Sequence, residues 1–267
     1  MTALLQRCAG CSAPRLLGVP IDGRALAELV ARAREAIQKR EAPFVLACAN
    51  PHSLVVARRD REFRRALETA SAVIADGVGC QLGAVLSGVN IGPRITGSDF
   101  FRETMRTVDA GAGRVFFLGS REPTLSKIVE RVRRDFPHVE AATLSPPFHA
   151  WSAQENEAIV AAVTAFAPDV LWVGMTAPKQ EKWVAANVQR LDVPVIGSIG
   201  AVFDYYAGVT RRAPDWVCRI GLEWLYRLPR EPRRLWRRTL VSAPLFLWWA
   251  LMQRLEESAR QAAPRAP

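Results

Sequence analysis

Apolar residues along this chain fall into short unbroken runs, separated by stretches where they recur every three or four positions. Residues 44–49, 72–75, 115–118, 170–173 and 193–196 are such runs. Their length suits strands buried on both faces. Residues 139–143 add a further candidate strand, and 16–21 is a short apolar stretch that ends in a turn region at Pro20 and Gly23. Helical spacing appears over 25–40, 124–136 and 153–166, and again after Pro178 and around 201–206. After the first core run comes Asn50-Pro51-His52-Ser53, where Ser53 is the expected cap of one helix reaching about residue 70. Strands alternating with helices predict an α/β fold, a mostly parallel sheet with helices on both faces. No internal repeat of fixed period interrupts the pattern.

The pattern changes after Gly208. Between Arg211 and Arg238 there are nine arginines and three acidic residues, with Trp216, Trp224 and Trp236 among them. Trp248 and Trp249 follow closely in an apolar run. The expected organisation is a leader at 1–14, an α/β core at 15–208, a helical Arg/Trp-rich appendage at 209–256 and a tail at 257–267. Arginine interleaved with tryptophan suits a membrane interface, where rings sit at headgroup depth and guanidinium groups meet phosphates. It also suits a nucleic-acid surface that stacks bases on tryptophan, or a solvated helical face packed on the core. These residues alone leave the three readings open.

Composition narrows the setting. The 267 residues are 49% hydrophobic and 23% charged, as in a globular protein. The net charge of +10 favours an anionic partner. It is almost all arginine, as Lys39, Lys127, Lys179 and Lys182 are the only lysines. Five cysteines (Cys8, Cys11, Cys48, Cys80 and Cys218) are odd in number and irregularly spaced, which argues for a reducing compartment. Cys8 and Cys11 have no second Cys/His pair at zinc spacing. The first residues lack the apolar core of a signal peptide. The longest apolar approach to a membrane span, from Leu240 to Met252, is interrupted by Ser242 and Pro244. The expected location is cytoplasmic.

In an open parallel sheet, ligands bind beyond the carboxyl ends of the strands. Asn50 follows the first core run and Asp76 the second. A carboxylate there can take a proton from an attacking hydroxyl, or simply cap the next helix. Gly119, Gly174 and Gly197 follow later runs, where a ligand could approach the backbone. Arg94 precedes Thr96-Gly97-Ser98-Asp99, a helix start with Thr96 or Ser98 as cap; it is a phosphate ligand or an ordinary surface arginine. Gln180 can both donate and accept, which suits a sugar or a base. Glu181 beside it can equally be a first-turn acid serving the helix dipole. No G-x-G-x-x-G follows a strand, and neither a P-loop nor an Asp-x-Asp occurs.

Taken in order, Asp76-Gly77, Arg94-x-Thr96-Gly97, Ala177-Pro-Lys-Gln-Glu181, Phe203-Asp204 and Ala207-Gly208 resemble the WecG/TagA/CpsF glycosyltransferases, glycosyltransferase family 26. So do Arg212-Ala-Pro214, the block from Gly221 to Leu228, and Glu231-Pro232-x-Arg234-x-x-Arg237. The resemblance spans about residues 16–245. It implies a Rossmann-like core and an inverting, metal-independent transfer without a cofactor. The donor would be a UDP-sugar, N-acetylmannosamine-type or another hexose, and the acceptor an undecaprenyl-diphosphate-linked sugar in surface polysaccharide biosynthesis. By matched position, Asp76 would be the general base, with Asn50, Arg94 and Gln180 in the catalytic pocket. Thr96, Gly97, Lys179 and Asp204 would line the substrate site. Arg227, Arg234 and Arg237 would belong to an appendage that closes over the diphosphate and docks on the inner face of the cell membrane, with homo-oligomers allowed. The family often has Thr where this chain has Cys48, and a Gly-rich segment where it has Gly174-Met-Thr-Ala-Pro178. Both departures bear on donor preference.

Overall fold

A computed structural model of the protein describes residues 13–210, 213–214, 217, 225–226 and 236–262, with side chains to residue 259. Two short strands, β1 (Arg15–Leu16) and β2 (Val19–Pro20), pair antiparallel. Then come α1 (Leu26–Lys39), β3 (Phe44–Ala49), α2 (Pro51–Arg59), α3 (Arg61–Thr69), β4 (Ala72–Ala75), α4 (Val78–Ser87) and α5 (Gly97–Ala110). The chain continues through β5 (Arg114–Leu118), α6 (Glu122–Asp135), β6 (Glu140–Leu144), α7 (Ala153–Phe166), β7 (Val170–Val173), α8 (Lys179–Asn187), β8 (Val195–Ser198) and α9 (Val202–Tyr206). A π-helical turn at Arg237–Ser242 leads into a last long helix, α10 (Ala243–Ala262).

The six longer strands form one parallel sheet in the order β4-β3-β8-β7-β5-β6. Side chains alternate between its faces. Val45, Ala47, Ala49, Val73, Phe116 and Leu171 face a layer containing α2, α3, α7, α8 and α10. Phe44, Leu46, Ile74, Phe117 and Trp172 face α1, α5, α6 and α9. Trp172, fully buried, meets Phe100 and Phe101 edge-on. A large apolar side chain buried this way contributes about 1.5–3 kcal/mol. The α/β reading of the hydrophobic pattern is therefore correct, with helices on both faces.

Three local expectations are corrected. The single helix expected from Ser53 to residue 70 is two helices, because Asp60 ends α2 and caps α3, its carboxylate accepting the N–H of Phe63. The cap of α2 is Asn50 rather than Ser53. With Pro51 at the first helical position, Asn50 Oδ1 accepts the Ser53 N–H and Ser53 Oγ accepts the Asn50 N–H. The strand expected at 193–196 sits two residues later. Pro194 has no N–H for a ladder, and pairing begins at Val195 opposite Phe44.

The last helix is part of the core. Phe246 is fully buried, and a Cβ placed on Gly83 of α4 would lie 2.3 Å from its ring. Gln253 accepts the N–H of Leu17 and donates to the carbonyl of Arg15, both at 2.9 Å, holding α10 against the β1 turn. No described helix is long and apolar enough to cross a membrane.

Candidate functional site

The strand register brings the carboxyl ends of β4, β3, β8 and β7 to one edge. Ala75 pairs with Ala49, Ala47 with Ser198, and Ser198 with Val173. One residue beyond the β3–β4 pair, the Asp76 N–H donates to the Ala49 carbonyl at 2.7 Å. Asp76 thus sits beside Asn50, and both are half-buried. Asp76 does not occupy the cap position of the next helix; Gly77 does, at φ 96° and with nothing within 4 Å of where a Cβ would be. Asn50 commits its amide oxygen to capping α2, so its NH₂ is the group a ligand can use.

Across the edge, Gln180 and Glu181 open α8 and are buried at 3% exposure each. Gln180 Nε2 donates to Glu181 Oε1 at 2.8 Å. Gln180 Oε1 and Glu181 Oε2 are buried without a hydrogen-bond partner among the described residues. Such orphans carry a desolvation penalty of about 1–3 kcal/mol each unless something fills the gap. Burial pushes the Glu181 carboxyl up to about 7, against the lowering effect of its bonds to Gln180 and to its own backbone. Just past β8, Gly200 turns at φ 49°, and a Cβ there would lie 3.5 Å from Gln180 Oε1 and from the Met175 carbonyl.

Cys48 lies close enough to both Asp76 and Glu181 to feel their charges. Burial holds its thiol well above the usual range, and the charges of Asp76 and Glu181 push the same way. Cys80 is likewise raised by burial and by Asp76. Two protonated thiols therefore flank the acid. Gly97 packs against Cys48, since a Cβ there would be 3.0 Å from its sulfur. Thr96 spends its hydroxyl on the N-terminal cap of α5, donating to Asp99 Oδ2 and accepting the Asp99 N–H. Arg94 is half-buried just before that cap. Lys179 sets its ammonium 3.9 Å from the centre of the Trp151 ring, and burial lowers its pKa. Asp204 lies on α9, half-buried.

The glycines expected to admit a ligand serve packing instead. Gly174 meets the Phe203 ring, Gly119 meets the Gly174 backbone, and Gly197 lies inside β8 against Trp172. Gly77, by contrast, has open space where a Cβ would be. Of the expected appendage arginines, Arg227 and Arg234 lie outside the described residues. Arg237 is exposed, with its guanidinium 5.2 Å from the centre of the Trp236 ring. Its neighbour Arg238 is close enough to His52, two residues after Asn50, to lower the imidazole pKa, although burial lowers it more. His52 Nδ1 also meets Ser242 Oγ at 2.8 Å. That link was not drawn from the sequence, although His52 stands within the Asn50-Pro51-His52-Ser53 signal.

A second surface borders this edge. Leu82 and Val85 on α4, and Trp248, Leu251 and Leu255 on α10, are exposed apolar side chains on two helices packed together. Both Arg58 and Arg59 stand over the Trp249 ring.

A model of the glycosyl transferase WecG/TagA/CpsF family matches residues 14–260. Among curated proteins, the chain is 31% identical over 199 residues to an N-acetylglucosaminyldiphosphoundecaprenol N-acetyl-beta-D-mannosaminyltransferase of Bacillus spizizenii, covering 74% of this chain and 75% of that protein. A protein of the same name from Bacillus subtilis is 27% identical over 202 residues, covering 76% and 77%. One from Staphylococcus aureus is 26% identical over 235 residues, covering 87% and 90%.

Proposed function

This chain belongs to the WecG/TagA/CpsF family of glycosyl transferases, and on that premise we propose that it moves an N-acetylmannosamine-type sugar or another hexose from a UDP-sugar to a sugar carried on polyprenyl diphosphate. The observation that carries the reading is the meeting of Asp76 and Asn50 at one sheet edge, where the Asp76 N–H bonds to the carbonyl of Ala49, the residue before Asn50. The relatives' names describe transfer of N-acetylmannosamine onto an undecaprenyl-diphosphate-linked N-acetylglucosamine, and the same acceptor class is proposed here.

In this mechanism the Asp76 carboxylate takes the proton of an acceptor hydroxyl. The oxygen forms its bond to the anomeric carbon from the face opposite the nucleotide. The bond from that carbon to the diphosphate oxygen breaks, and UDP leaves with the electron pair, so the anomeric configuration inverts. Asn50, Arg94 and Gln180 orient the sugar, and Thr96, Gly97, Lys179 and Asp204 border the site. Negative charge growing on the diphosphate is met by arginines, with Arg227, Arg234 and Arg237 the candidates and Arg238 close to the edge through His52. No metal ion is assigned a part.

The lipid-linked acceptor requires the enzyme to work at a membrane surface. The exposed apolar side chains of α4 and α10, with the arginines around them, fit peripheral docking on the inner face of the cell membrane. The test is incubation with a panel of UDP-sugars and a short-chain polyprenyl-diphosphate N-acetylglucosamine, with mass spectrometry of the product. A disaccharide-lipid of the expected mass is the predicted result. Failure with every donor, by folded protein, would refute the reading.

A further inference from the structure

Gln180 and Glu181 are neighbours in sequence, both at 3% exposure, and joined side chain to side chain at 2.8 Å. An amide can present either end to a ligand, and its two ends are nearly the same shape. Once ionised, above about pH 7, the Glu181 carboxyl beside it removes that freedom, because it then only accepts hydrogen bonds. Glu181 Oε1 therefore holds the NH₂ end of Gln180 and turns the carbonyl end away. That carbonyl, Oε1, is buried with no partner among the described residues. It lies beside Gly200, at a spot also bordered by the Met175 carbonyl and, at 3.6 Å, by Gln180 Nε2, one of whose protons is spent on Glu181. Two oxygen acceptors thus flank one small space at the carboxyl edge of β7 and β8. A Cβ on Gly200 would meet both oxygens in ordinary van der Waals contact.

We propose that Glu181 is a positioning residue: it locks the Gln180 amide so that Gln180 Oε1 and the Met175 carbonyl form an acceptor pair for an N–H or O–H donor of the sugar substrate. This rests on the transfer reading above and deepens it by assigning hydrogen-bond polarity to that part of the site. The substrate group it takes is a donor, such as a hydroxyl or an acetamido N–H. An ether or deoxy position there would leave Gln180 Oε1 unpaired. A site built on buried acceptors rejects a substrate lacking the matching donor strongly, for that reason.

The experiment is a double-mutant cycle on the full chain with the UDP-sugar donor that turns over. Glu181→Gln keeps an acceptor oxygen but adds a donor, so it holds the amide only in part and is expected to fall between wild type and Glu181→Leu in kcat/KM. Glu181→Leu removes the acceptor, frees the amide to rotate, and is expected to cost about 10–100-fold, mainly in kcat, as misplaced orienting groups do. In a Gln180→Ala background, Glu181→Leu is expected to add nothing, since its effect runs through Gln180. Additive losses, or a Glu181→Gln variant as poor as Glu181→Leu, would overturn the proposal in favour of a merely structural carboxylate.

A second readout needs no turnover. The Gln180 side-chain NH₂ protons, followed by amide NMR, are expected to exchange slowly with solvent in wild type and at an intermediate rate in Glu181→Gln. In Glu181→Leu they are expected to exchange at least tenfold faster. Unchanged exchange in Glu181→Leu would overturn the lock. If wild type transfers no sugar at all, the transfer reading fails while the NMR arm still decides the role of Glu181.

Discussion

The main-chain N–H of Asp76 reaches the carbonyl oxygen of Ala49 at 2.7 Å. This bond carries the ladder one step past the last paired residues and sets the acid beside Asn50. It is made by backbone, so a side-chain change at residue 76 leaves it in place. Asp76→Asn is isosteric and keeps the fold but cannot take a proton. Turnover is expected to fall about 10²–10⁴-fold, while UDP-sugar binding, measured by calorimetry, stays close to wild type. A rate near wild type would remove Asp76 from the role of base.

The burial of Glu181 makes a pH prediction. Unfolded, its carboxyl titrates near 4.5; folded, near 7. Between those values the folded protein keeps a proton that the unfolded chain has released. Its contribution to stability is therefore full below about pH 4.5 and is lost as the pH rises through about 7, a change of about 3 kcal/mol. Glu181→Gln has no proton to lose. Urea unfolding at pH 5 and pH 8 is expected to show wild type losing stability relative to Glu181→Gln at the higher pH. Identical pH dependence in the two proteins would contradict the assignment.

Gly83 and Phe246 give a packing prediction. Alanine at 83 would gain roughly 1 kcal/mol over glycine from helix propensity. Its Cβ, however, would lie 2.3 Å from the Phe246 ring, and overpacking of this kind costs about 1–3 kcal/mol. The clash wins. Gly83→Ala is expected to lower the urea midpoint, and pairing it with Phe246→Leu is expected to recover part of the loss.

Membrane docking is best tested with the fold kept intact. Removing everything from Arg211 onward would strip Phe246 from the core and confuse lost docking with lost stability. Trp248, Leu251 and Leu255 are exposed at helical spacing on α10. Trp248→Glu with Leu251→Glu is expected to leave the melting temperature nearly unchanged, as surface changes do. Each residue buried in lipid would contribute about 1.5–3 kcal/mol. Flotation with anionic vesicles should accordingly fall at least tenfold. Undiminished flotation would send the search to another surface.

Much of this architecture was legible in the hydrophobic pattern, because buried parallel strands leave unbroken apolar runs such as 44–49 and 170–173. Asp76 and Asn50 were legible as the polar residues that end those runs. What the pattern hid depends on contacts distant in sequence. No local signal says that Gly174 is small for the sake of Phe203, or that Ser242 meets His52 across 190 positions. Asp60 was overlooked for a different reason. Residues 53–70 keep helical spacing through it, and only its cap on Phe63 reveals a break. Glu181 read as an ordinary first-turn acid, since charge in sequence carries no record of burial.

Gln253 clasps Leu17 and Arg15 from 236 and 238 positions away. A ribosome releases such a chain from one end only. The β1 turn must wait, partly uncovered, until α10 has emerged and can reach it. Closure of this face is a long-range event, complete only once α10 docks.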